Sequence, residues 1–227
     1  MTIMQGLDLA RYGPAPQVAT GIAMPTAAFD AALPFVLRWE GGYVDHPADP
    51  GGRTNKGVTQ RVYDAWRARR GLATQHVRLI TDEEVHAIYA SDYWQPPRCD
   101  LLPSKLDVVH FDTAVNMGVG RAVRFLQASV GCGVDGAFGS GTAQAVAACN
   151  PRDVLGAYCA ARAEFYRRLV VRNPKLAAFQ KGWNNRLQAL RKEVGLPTFG
   201  FSEPANPADA GPMLRIPDIG VDPEFDV

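Results

Sequence analysis

The chain reads as a mainly α protein with one small β-prone segment. Three observations predict this. Apolar residues recur at helical spacing from Phe29 to about Val194. Capping and stopping residues fall at the ends of those runs, as in Thr81-Asp82-Glu83-Glu84 and Gly41-Gly42. Residues 43–57 instead hold two Asp, two Pro and three Gly, the composition of a β-hairpin or structured loop.

Taken in order, Phe29, Leu33, Val36 and Leu37 predict a helix starting near Ala32, with Pro34 in its first turn and Gly41-Gly42 as its stop. Val58 to Arg70 reads as a helix with Val62, Ala65 and Trp66 on one side. Thr81 to Glu84 form a capping box, and Val85, Ile88 and Tyr89 make the apolar face of a helix running to Tyr93-Trp94. Ser104 to Asp107 are expected to cap the next helix. It is apolar nearly all round, as a central buried helix is. Gly118 and Gly120 end it. Short helices follow over 122–130 and 142–149, separated by a glycine-rich stretch, and then two long amphipathic helices over 153–171 and 174–194. Residues 1–28 read as an arm. Residues 196–227, with six prolines, read as a tail.

The 227 residues suffice for one compact domain or two small ones, and 47% hydrophobic with 21% charged is a globular composition. A net charge of +1 gives no bulk attraction to polyanions, so no nucleic-acid partner is expected. No apolar run approaches the roughly 20 residues of a spanning helix, so no stable membrane insertion is expected. Residues 1–23 lack a basic start followed by an apolar core, and no signal peptide is read there. Cys99, Cys132, Cys149 and Cys159 form no CxxC pair and are expected to be small buried hydrophobes. His46, His76, His86 and His110 lack metal-ligand spacing, so neither metal nor cofactor is expected. A monomer is expected.

Two polar features stand out on apolar faces. Glu40 lies four residues after Val36 and seven after Leu33, so its carboxylate shares their face and points toward the core or a cleft. Desolvation there raises a carboxyl pKa, which a general acid requires. The plainer reading is a helix-end Glu paired with Arg38, Arg53 or another base. Asp112 and Asn116 sit at i and i+4 on the buried helix and need partners or a cleft.

Glu40-Gly41-Gly42-Tyr43, Asp49-Pro50-Gly51-Gly52, Thr54 and Gly57-Val58-Thr59 together resemble the glycoside hydrolase family 108 muramidases, found among phage endolysins and secretion-associated lysozymes. Phe111 to Gly118, Leu126-Gln127 and Val134 to Gly139 resemble that family's predicted peptidoglycan-binding region. The resemblance covers residues 29–195. It implies a lysozyme-like helical fold, with a catalytic lobe over 29–105 and a helical peptidoglycan-binding-like lobe over 106–195. It also implies hydrolysis of the β-1,4 bond between N-acetylmuramic acid and N-acetylglucosamine, with Glu40 as the acid. The spacing is similar to that of phage T4-type lysozymes, where an Asp follows the Glu by nine residues and a Thr follows six later. Here those positions hold Asp49 and Asn55, with Thr54 one short.

Glycosidic cleavage needs an acid and usually a second carboxylate. Asp49 is the first choice for the second, although an Asx turn before Pro50-Gly51 also explains it. Asp45 competes. Attack from the opposite face inverts the sugar, and the carboxylate separation decides that outcome. Thr54 and Thr59 suit holding a water or a sugar hydroxyl, or simply a solvent-facing hairpin. Tyr43 and Asn55 line the same loop. Tyr93 and Trp94 suit stacking on pyranose faces, or core packing. Asp112 and Asn116 suit N-acetyl groups, or bracing of the loop. The partner implied is the peptidoglycan glycan strand. The protein would be made in the cytoplasm and reach the wall by a holin-type or dedicated route. A lytic transglycosylase and a non-catalytic wall-binding protein are the alternatives.

Overall fold

The computed structural model describes residues 27–45 and 52–198. Among them, eight α-helices and one two-stranded hairpin form the regular structure. The predicted arm and tail, apart from their inner ends, lie outside the described residues, as does residue 49.

Helix α1 spans Ala27–Leu37 and buries Phe29, Ala32, Leu33, Phe35 and Val36. It begins earlier than the proline implied. Pro34 lies inside the helix on its exposed side, so the hydrogen bond it cannot donate is lost at the solvent edge. After α1 the chain turns, and Gly41 takes φ +64°.

Strands β1 (Thr54–Asn55) and β2 (Val58–Thr59) pair antiparallel, with Thr54 opposite Thr59 and Asn55 opposite Val58. Lys56 and Gly57 between them have φ +48° and +76°, the left-handed pair a tight two-residue hairpin loop requires. Val44 bridges Thr54 and extends the pairing by one rung. The helix expected from Val58 is α2 (Gln60–Ala68), because Val58 and Thr59 are taken by β2 and the Thr59 hydroxyl caps the helix by accepting from Val62 N at 3.3 Å.

Helix α3 (Asp82–Tyr89) opens with the predicted capping box, in which Thr81 and Glu84 bond reciprocally. It widens into a π-turn over Ala90–Trp94. Helix α4 (Leu106–Met117) is the central one, with Val109, His110, Phe111, Asp112, Thr113 and Ala114 each 0% exposed. Ser104 does not cap it. Lys105 at φ +77° enters the helix without a side-chain cap, and the Pro103 carbonyl accepts from Leu106 N and Asp107 N.

Four helices complete the fold: α5 (Val119–Val130), α6 (Ser140–Ala148), α7 (Pro151–Arg172) and α8 (Ala177–Glu193). Helix α4 packs on α1, α5 and α7, and α7 packs on α8, within one continuous apolar core. Gln127 is buried and organises the glycine-rich loop: its Oε1 accepts from Asp135 N and Gly136 N, and its Nε2 donates to Asp135 Oδ1 at 2.7 Å. Cys99 and Cys159 are buried, Cys132 and Cys149 partly so, and all four are free thiols. No described helix is long and apolar enough to cross a membrane.

Candidate active site

Glu40 ends the turn after α1 and is 5% exposed. Its position behind Leu33 and Val36 turns the side chain inward, as the face argument predicts. It meets a base, as the plainer reading expects, but one from far along the chain. Arg186, from the middle of α8, donates from Nη1 to Glu40 Oε1 at 2.7 Å. Arg38 and Arg53, the nearby bases, pair elsewhere, with Glu193 and Asp45.

Arg186 is itself held. Its Nε donates to Asp112 Oδ1 at 2.9 Å, and its Nη2 lies 2.8 Å from the same oxygen. Asp112 Oδ2 accepts from Arg162 Nη1 at 2.7 Å. Arg162 also donates to Thr113 Oγ1 and to the Tyr166 hydroxyl, which donates to Asn116 Oδ1 at 2.8 Å. The charges alternate from Glu40 through Arg186 and Asp112 to Arg162, all buried. Burial pushes the Asp112 carboxyl up, but Arg186 and Arg162 outweigh it and hold it below the ordinary range. Burial likewise favours the neutral form of Arg186, while Asp112 and Glu40 outweigh that and keep it firmly charged.

Two elements press on the other side of Glu40. Gly57 in the hairpin loop is so close that an added Cβ would meet Glu40 Cβ and Cγ at 3.0 Å and the Tyr89 hydroxyl at 2.3 Å. The Tyr89 hydroxyl donates to Lys56 O at 2.9 Å and pins that loop. Tyr93, partly buried, packs against Tyr89 with ring centroids 5.6 Å apart. Burial, then the Asp92 and Glu40 carboxylates, push its phenol well above the ordinary range.

The remaining sequence-predicted residues divide. Asp112 has no face toward a groove, because both its oxygens are spent on arginines in the core. Trp94 is 3% exposed and packs edge-on against Phe29 and Phe111, so it is core and not a stacking platform. Asn55 is buried and its Nδ2 donates to Val77 O and Arg78 O, tying the hairpin to the 77–79 turn. Thr59 is spent as the α2 cap. Thr54 is partly buried and its hydroxyl donates to Gly52 O at 3.4 Å. Asp45 is exposed and accepts from Tyr43 Oη at 3.2 Å and Arg53 Nε at 3.1 Å. Tyr43 is partly buried under Arg78. Asn116 keeps a partly exposed amide. Asp49 lies outside the described residues. An open groove of about 540 Å³ runs between the end of α1 and α8, lined by Phe35, Arg38, Trp39, Ala189, Lys192 and Glu193. Glu40 is not on its wall.

Arg162 and Arg186 carry a signal in the sequence that periodicity alone overlooked. Each sits on the apolar stripe of its helix, Arg186 with Trp183, Leu187 and Leu190, Arg162 with Tyr158, Phe165 and Tyr166. A cation on such a stripe needs a buried anion.

The chain has recognisable relatives. Residues 33–118 match the family model described as Glycosyl hydrolase 108, and residues 121–188 match the one described as Predicted Peptidoglycan domain. The chain is thus a glycoside hydrolase. Among solved structures it is similar to SagA of Brucella abortus, at 35% identity over 73% of this chain and 92% of that chain, with a TM-score of 0.62. No curated protein matches. The chain belongs to glycosyl hydrolase family 108, with the family's peptidoglycan-domain region as its second part.

Proposed function

We propose that the protein is an N-acetylmuramidase that cleaves the β-1,4 bond between N-acetylmuramic acid and N-acetylglucosamine, with Glu40 as general acid. The observation that carries this is Glu40 itself: a buried carboxylate between α1 and the glycines, closely approached by Gly57 with the Tyr89 hydroxyl beside it, in a chain of this family. Glu40 gives its proton to the glycosidic oxygen as the bond from that oxygen to C1 of the muramic sugar breaks. Water adds to C1 and a loop carboxylate takes its proton. Asp49 is the proposed loop carboxylate, and Asp45 is second because Arg53 and Tyr43 already engage it. Thr54 is proposed to hold the water. Tyr93, Tyr43 and Asn116 are proposed to contact the glycan.

The proposed place of action is the cell wall, reached by a holin-type or dedicated route, as for an endolysin. The test is mass spectrometry of muropeptides released by the wild type and by Glu40→Gln. Reducing N-acetylmuramic acid ends from the wild type, and none from the variant, are expected. 1,6-Anhydro ends identify a lytic transglycosylase instead, and equal release by both proteins removes Glu40 from the role of acid.

A further inference from the structure

The two family regions meet at two carboxylates, Glu40 and Asp112. Glu40 and Asp112 belong to the 33–118 region, and Arg162 and Arg186 to the 121–188 region. Arg186 reaches across with two ends of one rigid guanidinium, Nη1 on Glu40 and Nε on Asp112. Asp112 is fixed from behind by Arg162, which is 0% exposed. We infer that the peptidoglycan-domain region is a working part of the active site, and that its Arg186 is the positioning residue for Glu40. This rests on Glu40 being the acid.

Two physical points support the inference. First, four buried charges are a poor way to gain stability, because well-packed apolar side chains of similar volume serve as well or better. Three of them, Arg186, Asp112 and Arg162, stand in line behind the proposed acid, which points to a role in chemistry. Second, a general acid acquires negative charge as its proton leaves, and a guanidinium already fixed at 2.7 Å meets that charge without rearrangement. Among the described residues, the Tyr89 and Tyr93 hydroxyls also feel the Glu40 charge, and Asp112 stands behind Arg186. Neither hydroxyl supplies a cation. Lysine at position 186 would keep the charge, but a single ammonium does not span both carboxylates in the same geometry.

The test uses the full chain as wild type, Arg186→Met, Arg186→Lys and Glu40→Gln, each first checked for cooperative thermal unfolding. On soluble peptidoglycan fragments, Arg186→Met is expected to lower kcat by about 100-fold with KM little changed, the scale of loss for a misplaced acid. Its alkaline activity limb is expected to move to higher pH, because loss of the cation disfavours ionised Glu40. Arg186→Lys is expected to recover part of both effects. If Arg186→Met does not fold, Arg186→Lys decides. A folded position-186 variant with wild-type kcat and pH profile overturns the inference. Carbon NMR titration of labelled glutamate gives a readout independent of turnover, with the Glu40 signal assigned by its loss in Glu40→Gln. An unchanged Glu40 midpoint in the variants also overturns it. A wild type that releases no muropeptides, or an active Glu40→Gln, defeats the proposed function instead.

Discussion

Gly57 and Glu40 approach each other closely: a Cβ on the glycine would lie 3.0 Å from both Glu40 Cβ and Cγ. Gly57 also holds φ +76°. Alanine here therefore meets a backbone penalty, a clash with the Tyr89 hydroxyl and tight contacts with Glu40. Gly57→Ala is expected to destabilise the fold by about 1–3 kcal/mol and to lower activity beyond the unfolded fraction, because Glu40 must shift. Urea unfolding beside initial rates on peptidoglycan checks this; equal rates per folded molecule would contradict it.

Asp112 answers two arginines in the core, and its removal leaves Arg162 without an anion and Arg186 with Glu40 alone. Asp112→Ala is expected to cost about 3–5 kcal/mol, the scale for breaking a buried pair. The unfolding midpoint in denaturant reads this directly. A loss below 1 kcal/mol would mean that the arginines find water or other partners.

Tyr93 and Trp94 are neighbours with opposite fates. Trp94→Ala is expected to cost about 3–5 kcal/mol, with glycan affinity unchanged in the molecules that remain folded. Tyr93→Ala is expected to cost less stability and to raise KM. Paired calorimetry and kinetics on the two variants separate the roles, and the reverse pattern would refute the assignment.

His110 is wholly buried between the Tyr158 hydroxyl and the Pro97 carbonyl, each 3.0 Å away. Burial drives its pKa from 6.5 down to about 4, against the Pro97 carbonyl, which raises it. Between those values the unfolded chain binds a proton that the folded chain does not. Stability is therefore expected to fall as pH drops from 6.5 to 4, by on the order of 3 kcal/mol from this group. In His110→Gln the slope of unfolding free energy against pH is expected to flatten over that window.

Local signals were legible in the sequence. The Thr81 capping box and the buried α4 appear where their residues predict, because each depends on contacts within one turn or one face, whereas α1 closes at Leu37, a turn before the glycines expected to stop it. Glu40 was placed inward for the same reason. Its partner was not legible, since Arg186 is 146 residues away and pairing at that range is a property of packing. The expectation from desolvation alone thus omitted a cation acting in the opposite direction. Stacking and core packing stayed open for Tyr93 and Trp94 alike, because the π-turn over Ala90–Trp94 changes which residues share a face and no spacing rule announces that turn. Asn55 and Thr59 look like free polar groups in a list of letters. They are spent on the 77–79 turn and on α2.

The contact between positions 40 and 186 also bears on how the enzyme comes into being. Synthesis delivers the chain from its N-terminus, and early segments collapse while later ones are still being made. A nascent chain ending anywhere before α8 carries Glu40 that has yet to meet Arg186. Translation order itself thus delays completion of the site until the last described helix has left the ribosome.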